Sequence, residues 1–411
     1  MRAVFIHQNM PGQFGRLAST MARARGNQVA FVTQRTDIDL PGILRVSYSA
    51  ARAHPTGGDT IEARFGYEIA NGRSVVQALR ALEGKIGKPD VIIGHPGWGE
   101  LLFVKDLYPD VPLVSYCEFY HDPTAPFFQG DPPEPLTFAG RMWRRAQSAH
   151  LLLSLEAADK GWSPTSWQKS LHPAAFREKI EVVFDGVDAR RICPDASATF
   201  VLPDGRTLSC GDEVITYAAR SLEPTRGFPS FMRALPHILA RRPDARVVIA
   251  GVSEPHYDAP PQRASTWRDA LSSSVELDPE RVFFVGRLAR EPFVRMLQVS
   301  SAHVYLTSPV VLSWSMVEAM SAGCLVVASD SPPVRDILVD GLNGRLTQFN
   351  APEQIAVDVA AALSDQARFE IRRAARRHVE EALSIEVCLP RQRRLIASAA
   401  NGNAESPTSA R

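Results

Sequence analysis

The chain of 411 residues has five cysteines, no long apolar run and almost no charge excess, and each shortage removes a class of protein. Cys117, Cys193, Cys210, Cys324 and Cys388 are odd in number, far apart and free of metal-ligand spacing, which excludes a disulfide framework and argues for reduced thiols in a cytosolic protein. No window approaches the roughly 20 apolar residues that a membrane span needs, and the apolar core of the start MRAVFIHQ is too short for a signal peptide. Peripheral attachment to the inner face of a membrane through a surface helix stays open. With 46 basic and 45 acidic residues the net charge is +1, so no global field recruits nucleic acid. Any anionic ligand must meet locally placed cations. A dehydrogenase is disfavoured because no Gly-x-Gly-x-x-Gly follows the first strand.

What is present is a soluble, globular composition, 45% hydrophobic and 22% charged, in a chain long enough for two domains. Short apolar runs alternate with helical patterns: AVFI, VAFVT (29–33), ILRVSY (43–48), a helix from about Thr60 to Lys85, VIIGH (91–95), a helix over WGELLFVKDLY, and PLVSYCEFY (112–120). A second cycle follows IEVVFDGVDARRICPD (180–195). Its FVLPDGRTLSC (200–210) reads as a hairpin turned at Asp204-Gly205, after which come EVITYAAR, RVVIAG, VFFVG, HVYLT and CLVVAS. Such alternation predicts an α/β chain of two doubly wound, Rossmann-like parallel-sheet domains facing a central cleft. The expected boundaries are 1–190 for the first, 191–383 for the second, a helix over 384–400 packing back on the first, and a disordered tail at 401–411. In such sheets ligands sit beyond the carboxyl ends of the strands.

The richest stretch is Ser308 to Ser331, SPVVLSWSMVEAMSAGCLVVASDS, where a strand ends and a helix opens near Ser313 or Ser315 and closes at Gly323. A helix start there aims unpaired N–H groups and positive charge at phosphate or sugar oxygens. Glu318 has a plain alternative, since Ser315-Met-Val-Glu318 also fits a capping box.

VEAMSAGCLVVASDSPPVRDILVDGLNGRL (317–346) resembles the carboxyl-terminal signature of family 4 glycosyltransferases of the GT-B fold. The resemblance extends through HQNMPGQF (7–14), SPTSWQKSLHP (163–173) and DGVD (185–188) to roughly residues 1 to 395, within a subgroup with a Leu-Ser-Trp-Ser run. It implies that Glu318 meets the ribose hydroxyls of a nucleotide. The family's first Glu falls on Val310, which cannot accept a sugar hydroxyl, so backbone N–H groups near Leu312, Ser313, Trp314 and Ser315 take more of the sugar contact. Arg220 and Arg226 in RSLEPTRGF match the diphosphate cations, with Glu223 between them as an orienter. Gly286 and Arg287 match the segment that meets the base.

In the amino-terminal half the resemblance implies that Gly12 lets the backbone approach the donor, while Gln13 and His95 face the acceptor. His121 and then Glu118 are the candidates nearest the reacting sugar. Phe14 reads as a core residue, and His172 and His237 as helix or surface positions.

The expected activity is transfer from a UDP- or GDP-sugar to a hydroxyl on a saccharide, lipid-linked glycan, natural product or protein. The family mechanism is retaining and needs no metal or other cofactor. The residues leave room for a GT-B nucleotide-sugar epimerase, or for a degenerate subunit that binds nucleotide sugar without turning it over. Oligomeric state is not legible.

Overall fold

The computed structural model describes residues 1–49, 60–124, 136–256 and 258–402, which fall into two compact units. The first takes the described residues up to Asp185 and resumes at Cys388; the second runs from Gly186 to Val387.

In the first unit the strands are β1 (Arg2–Ile6), β2 (Gln28–Thr33), β3 (Ile43–Ser47), β4 (Val91–Gly94), β5 (Leu113–Tyr116), β6 (Lys160–Ser163) and β7 (Ile180–Val182), all parallel in the order β3-β2-β1-β4-β5-β6-β7. β1 explains its own sequence: Ala3 and Phe5 enter one core with Phe14, Phe31, Tyr116 and Trp162, while Val4 and Ile6 enter another with Val32, Leu79 and Ile92. A strand buried on both faces needs a continuous apolar run rather than alternation. α1 (Gly15–Arg23) and α2 (Ile61–Ile86, capped by the Thr60 side chain) lie between strands.

One expectation changes here, and one strand goes unannounced. WGELLFVKDLY gives only four helical residues, Val104–Leu107, because Gly99 has φ +89° and a Cβ there would fall 2.2 Å from the Glu68 carbonyl oxygen. β6, sequence KGWS, carries no apolar run to announce it, although its Trp162 is fully buried.

The second unit opens with an antiparallel hairpin, β8 (Thr199–Val201) and β9 (Thr207–Ser209), whose turn places only Gly205, not Asp204, at positive φ. Its parallel sheet comprises β10 (Val214–Ser221), β11 (Arg246–Val252), β12 (Val282–Gly286), β13 (Ala302–Tyr305), β14 (Leu325–Ser329) and β15 (Arg345–Thr347), in the order β12-β11-β10-β13-β14-β15. α3 (Phe228–Arg241), α4 (Arg290–Gln298), α5 (Trp314–Ala322) and α6 (Pro352–Ser364) belong to this unit.

The final helix, α7 (Ile385–Gly402), inserts Leu395, Ile396 and Ala399 into the core that contains Phe5 and Phe14. Of the expected tail, residues 403–411 lie outside the described residues.

Candidate functional site

Strand order places a switch point in each sheet: β10 has β11 on one side and β13 on the other, and β1 has β2 and β4. Ligand sites in open parallel sheets form beyond the strand ends at such points.

Beyond β10 the chain turns through Glu223 to Gly227. Gly227 has φ +68°, and a Cβ there would lie 2.4 Å from the Leu306 Cβ, so only glycine closes this turn against the end of β13. Arg226 is thereby carried across the switch point, its Nη1 3.3 Å from both the Thr307 hydroxyl and the Val311 carbonyl. The Tyr217 hydroxyl donates to the Arg226 carbonyl at 2.6 Å and fixes the loop from below. Arg220 is exposed at the strand end. Glu223 is fully buried; its carboxylate accepts the Ser221 hydroxyl and the backbone N–H groups of His256 and Asp258, the latter two each at 2.9 Å.

The segment 308–315 corrects two readings. Ser313 is the N-cap of α5, its hydroxyl accepting the Ser315 N–H, so Ser315 lies inside the helix and no Ser315–Glu318 capping box forms. Glu318, almost fully buried, instead accepts from Arg290 Nη2 at 2.7 Å. The Ser313 N–H is taken by the Tyr305 hydroxyl at 2.9 Å and the Ser315 N–H by the Ser313 hydroxyl, while the Leu312 N–H has no acceptor among the described residues. Trp314 is 43% exposed at the helix start, and Gly323 closes the helix at φ +83°. Val310 is half-buried, its N–H donated to the Ser308 carbonyl. Gly286, at φ +65°, and Arg287 lie exposed at the end of β12, with open space around the glycine.

In the first unit the ends of β1, β4 and β5 deliver His7, His95 and Glu118 to one place. His7 Nε2 lies 2.8 Å from Gln13 Oε1, Gln13 donates to Glu118 Oε1 at 2.6 Å, and His95 Nε2 lies 3.1 Å from Glu118 Oε2. The His7 and His95 rings pack at 4.9 Å between centroids, with the Trp98 indole against both.

Burial lowers the His7 pKa to about 3, helped by repulsion from His95. Burial alone would raise the Glu118 carboxyl, but hydrogen bonding and charge from His95, then His7 and Gln13, hold it below its ordinary value. His95 is raised: burial opposes its charged form and the Glu118 carboxylate outweighs burial. The site is therefore a carboxylate among N–H donors.

Gly12 owes its identity to this cluster, for a Cβ there would fall 2.4 Å from the His7 ring. Phe14 is core, edge-on to Tyr116 at 5.6 Å. His121 does not enter the Glu118 network. Its backbone N–H bonds the Ser148 hydroxyl, and burial, with Arg64 and Arg144 nearby, takes its imidazole down to about 3. His172 is buried rather than superficial. Sequence reasoning missed His7 and Arg290, although both lie in stretches singled out for other residues.

Residues 25–192 match the glycosyl transferase family 4 group and residues 206–381 match glycosyl transferases group 1. Both halves are glycosyltransferase domains. His7 to Phe14 precede the first matched segment. Phosphatidyl-myo-inositol mannosyltransferase of Mycobacterium tuberculosis is 31% identical over 156 residues, a match covering 37% of this chain and 36% of that protein; its Mycolicibacterium smegmatis counterpart is 27% identical over 154 residues. The match thus spans little more than a third of those relatives' length. Among solved structures, sucrose-phosphate synthase from Thermosynechococcus elongatus superposes with a TM-score of 0.70 at 15% identity, over 97% of this chain and 98% of that one. HepE from Anabaena in complex with UDP-glucose gives 0.67 at 14%, over 97% and 100%. The two parallel-sheet domains are those of the GT-B fold. Among the described residues no helix is long and apolar enough to cross a membrane, and no group of His, Cys, Asp or Glu is arranged to hold a metal ion.

Proposed function

We propose that the protein transfers a sugar, with retention and without a metal, from a UDP- or GDP-sugar to a hydroxyl acceptor. The observation that carries this is Arg226, laid across the switch point of a glycosyltransferase group 1 domain to Thr307 and the Val311 carbonyl. A guanidinium there meets charge developing on a departing nucleoside diphosphate, and Arg220, exposed at the adjoining strand end, adds a second cation. Glu318, held by Arg290, binds the ribose hydroxyls, and the open strand end at Gly286 and Arg287 takes the base. Leu312 offers its N–H to the donor sugar beside Trp314. His121 and Glu118 are the candidates to meet the acceptor hydroxyl, and with the leaving phosphate taking the acceptor proton no stronger base is required. The mannosyltransferase and UDP-glucose relatives support testing GDP-mannose and UDP-glucose first.

Nucleotide release from these donors, with Arg226→Ala and Glu318→Ala alongside wild type, tests the reading. Release that falls 100-fold or more in Arg226→Ala supports it. Tight nucleotide binding with no release from any donor would instead favour a binding subunit, the reading that Val310 motivates. Interconversion of the sugar without transfer would favour an epimerase.

A further inference from the structure

The side-chain hydrogen bonds of His7, Gln13 and His95 all run towards Glu118. The Asn9 N–H donates to His7 Nδ1 at 2.9 Å and the Gly97 N–H to His95 Nδ1 at 3.0 Å. A neutral imidazole that accepts at Nδ1 carries its proton on Nε2, so each ring is set by the backbone two residues on. His7 then donates to Gln13 Oε1, which turns the Gln13 amide so that its N–H₂ faces Glu118 Oε1; His95 donates to Glu118 Oε2. Gln168 donates to the Glu118 carbonyl and pins the backbone below.

Each carboxylate oxygen thus accepts one N–H, and each retains acceptor capacity. The Glu118 side chain is 30% exposed whereas that of His95 is 5% exposed, so the capacity left over is reachable from outside while the His95 donor is enclosed. A carboxylate is the strongest hydroxyl acceptor a protein offers, and partly exposed Trp98, packed on both histidines, adds an aromatic surface of the kind that meets sugar C–H groups.

We propose that Glu118 is a hydroxyl-binding carboxylate for a sugar or similar polyol, aimed by Gln13 and His95 directly and by His7 through Gln13. His7, Gln13 and His95 are positioning residues; Glu118 touches the ligand. The choice of a sugar as ligand rests on the glycosyltransferase reading.

The test uses the full-length protein and methyl α-D-mannoside and methyl α-D-glucoside at millimolar concentration, followed by saturation-transfer NMR. A wild-type signal is expected, reduced at least fivefold in Glu118→Gln and His95→Ala, and regained in His95→Gln, which returns an N–H donor at the same reach. His7→Ala is expected to weaken the signal less than His95→Ala because it acts through Gln13. Thermal midpoints recorded on the same samples separate loss of the site from loss of the fold. A wild-type signal that Glu118→Gln leaves unchanged overturns the proposal, as does the absence of any wild-type signal. UDP and GDP binding, compared in wild type and Arg226→Ala, is measured in parallel. If it depends on Arg226 while the sugar signal ignores Glu118, only this site falls. If no nucleotide binds while the Glu118-dependent signal persists, the glycosyltransferase reading falls and the polyol site stands.

Discussion

Arg290 and Glu318 are separated by 28 residues along the chain and by 2.7 Å in space, with the guanidinium half-exposed and the carboxylate 10% exposed. A nearly buried carboxylate cannot stay aligned without such a partner, so the pair decides which way Glu318 offers its remaining lone pairs.

Arg290→Ala is expected to raise the donor KM several-fold and to change kcat less than twofold, because it misaligns a binding group rather than one acting only in the transition state. Stability should fall by about 1 kcal/mol, the low end for an orphaned buried group since Arg290 is itself half in water. Steady-state kinetics and urea unfolding measure the two. Equal falls in kcat and kcat/KM would move the pair into the chemistry.

Gly227 and Gly286 both have positive φ but different surroundings. Gly227→Ala meets the Leu306 Cβ at 2.4 Å and is expected to cost about 3 kcal/mol; Gly286→Ala, with nothing within 4 Å, should cost about 1 kcal/mol from backbone conformation alone. Denaturant midpoints of the two variants decide it, and equal losses would remove the steric account of the Arg226 turn.

Gly12→Ala is expected to displace the His7 ring, since the new methyl falls 2.4 to 2.9 Å from three of its atoms. Turnover and the sugar signal should drop together with about 2 kcal/mol of stability. A variant that loses activity while keeping its full thermal midpoint would point back to close approach of the donor at this glycine.

These contacts show what a sequence conveys and what it withholds. The apolar runs of β1, β2, β10 and β14 announce parallel strands because both faces are buried, and Gly323 announces the end of α5 through its left-handed backbone. The 308–315 segment was singled out from a helix start after a strand, and Arg226 from the resemblance to the family. Local spacing, however, suggested a partner for Glu318 within its own helix and for Glu223 within its own loop. Glu318 is held by Arg290, and Glu223, besides the Ser221 hydroxyl two residues back, accepts from the backbone of His256 and Asp258; these long-range contacts are set by strand order, which no spacing encodes. The Gln13–Glu118 contact spans 105 residues for the same reason.

Acid should destabilise the protein through its buried histidines. Burial, with His95 repulsion in the first case, depresses His7 from 6.5 to about 3, and burial depresses His172 and His303 to about 4. The folded chain binds fewer protons than the unfolded one, so this contribution is full above pH 6.5 and is lost as pH falls towards 4, by up to about 1.4 kcal/mol per pH unit for each histidine. Urea unfolding free energies at pH 7 and pH 5 measure it; equal values would mean that these imidazoles are charged in the fold.

Helix α7 places Leu395, Ile396 and Ala399 against Phe5 and Phe14, so the first unit is assembled from both ends of the sequence. During synthesis the second unit has all of its strands before the first has all of its core. A nascent chain stalled near residue 383 would carry a finished sheet with part of one apolar face, beside α1, left bare, a substrate for chaperones until α7 leaves the ribosome.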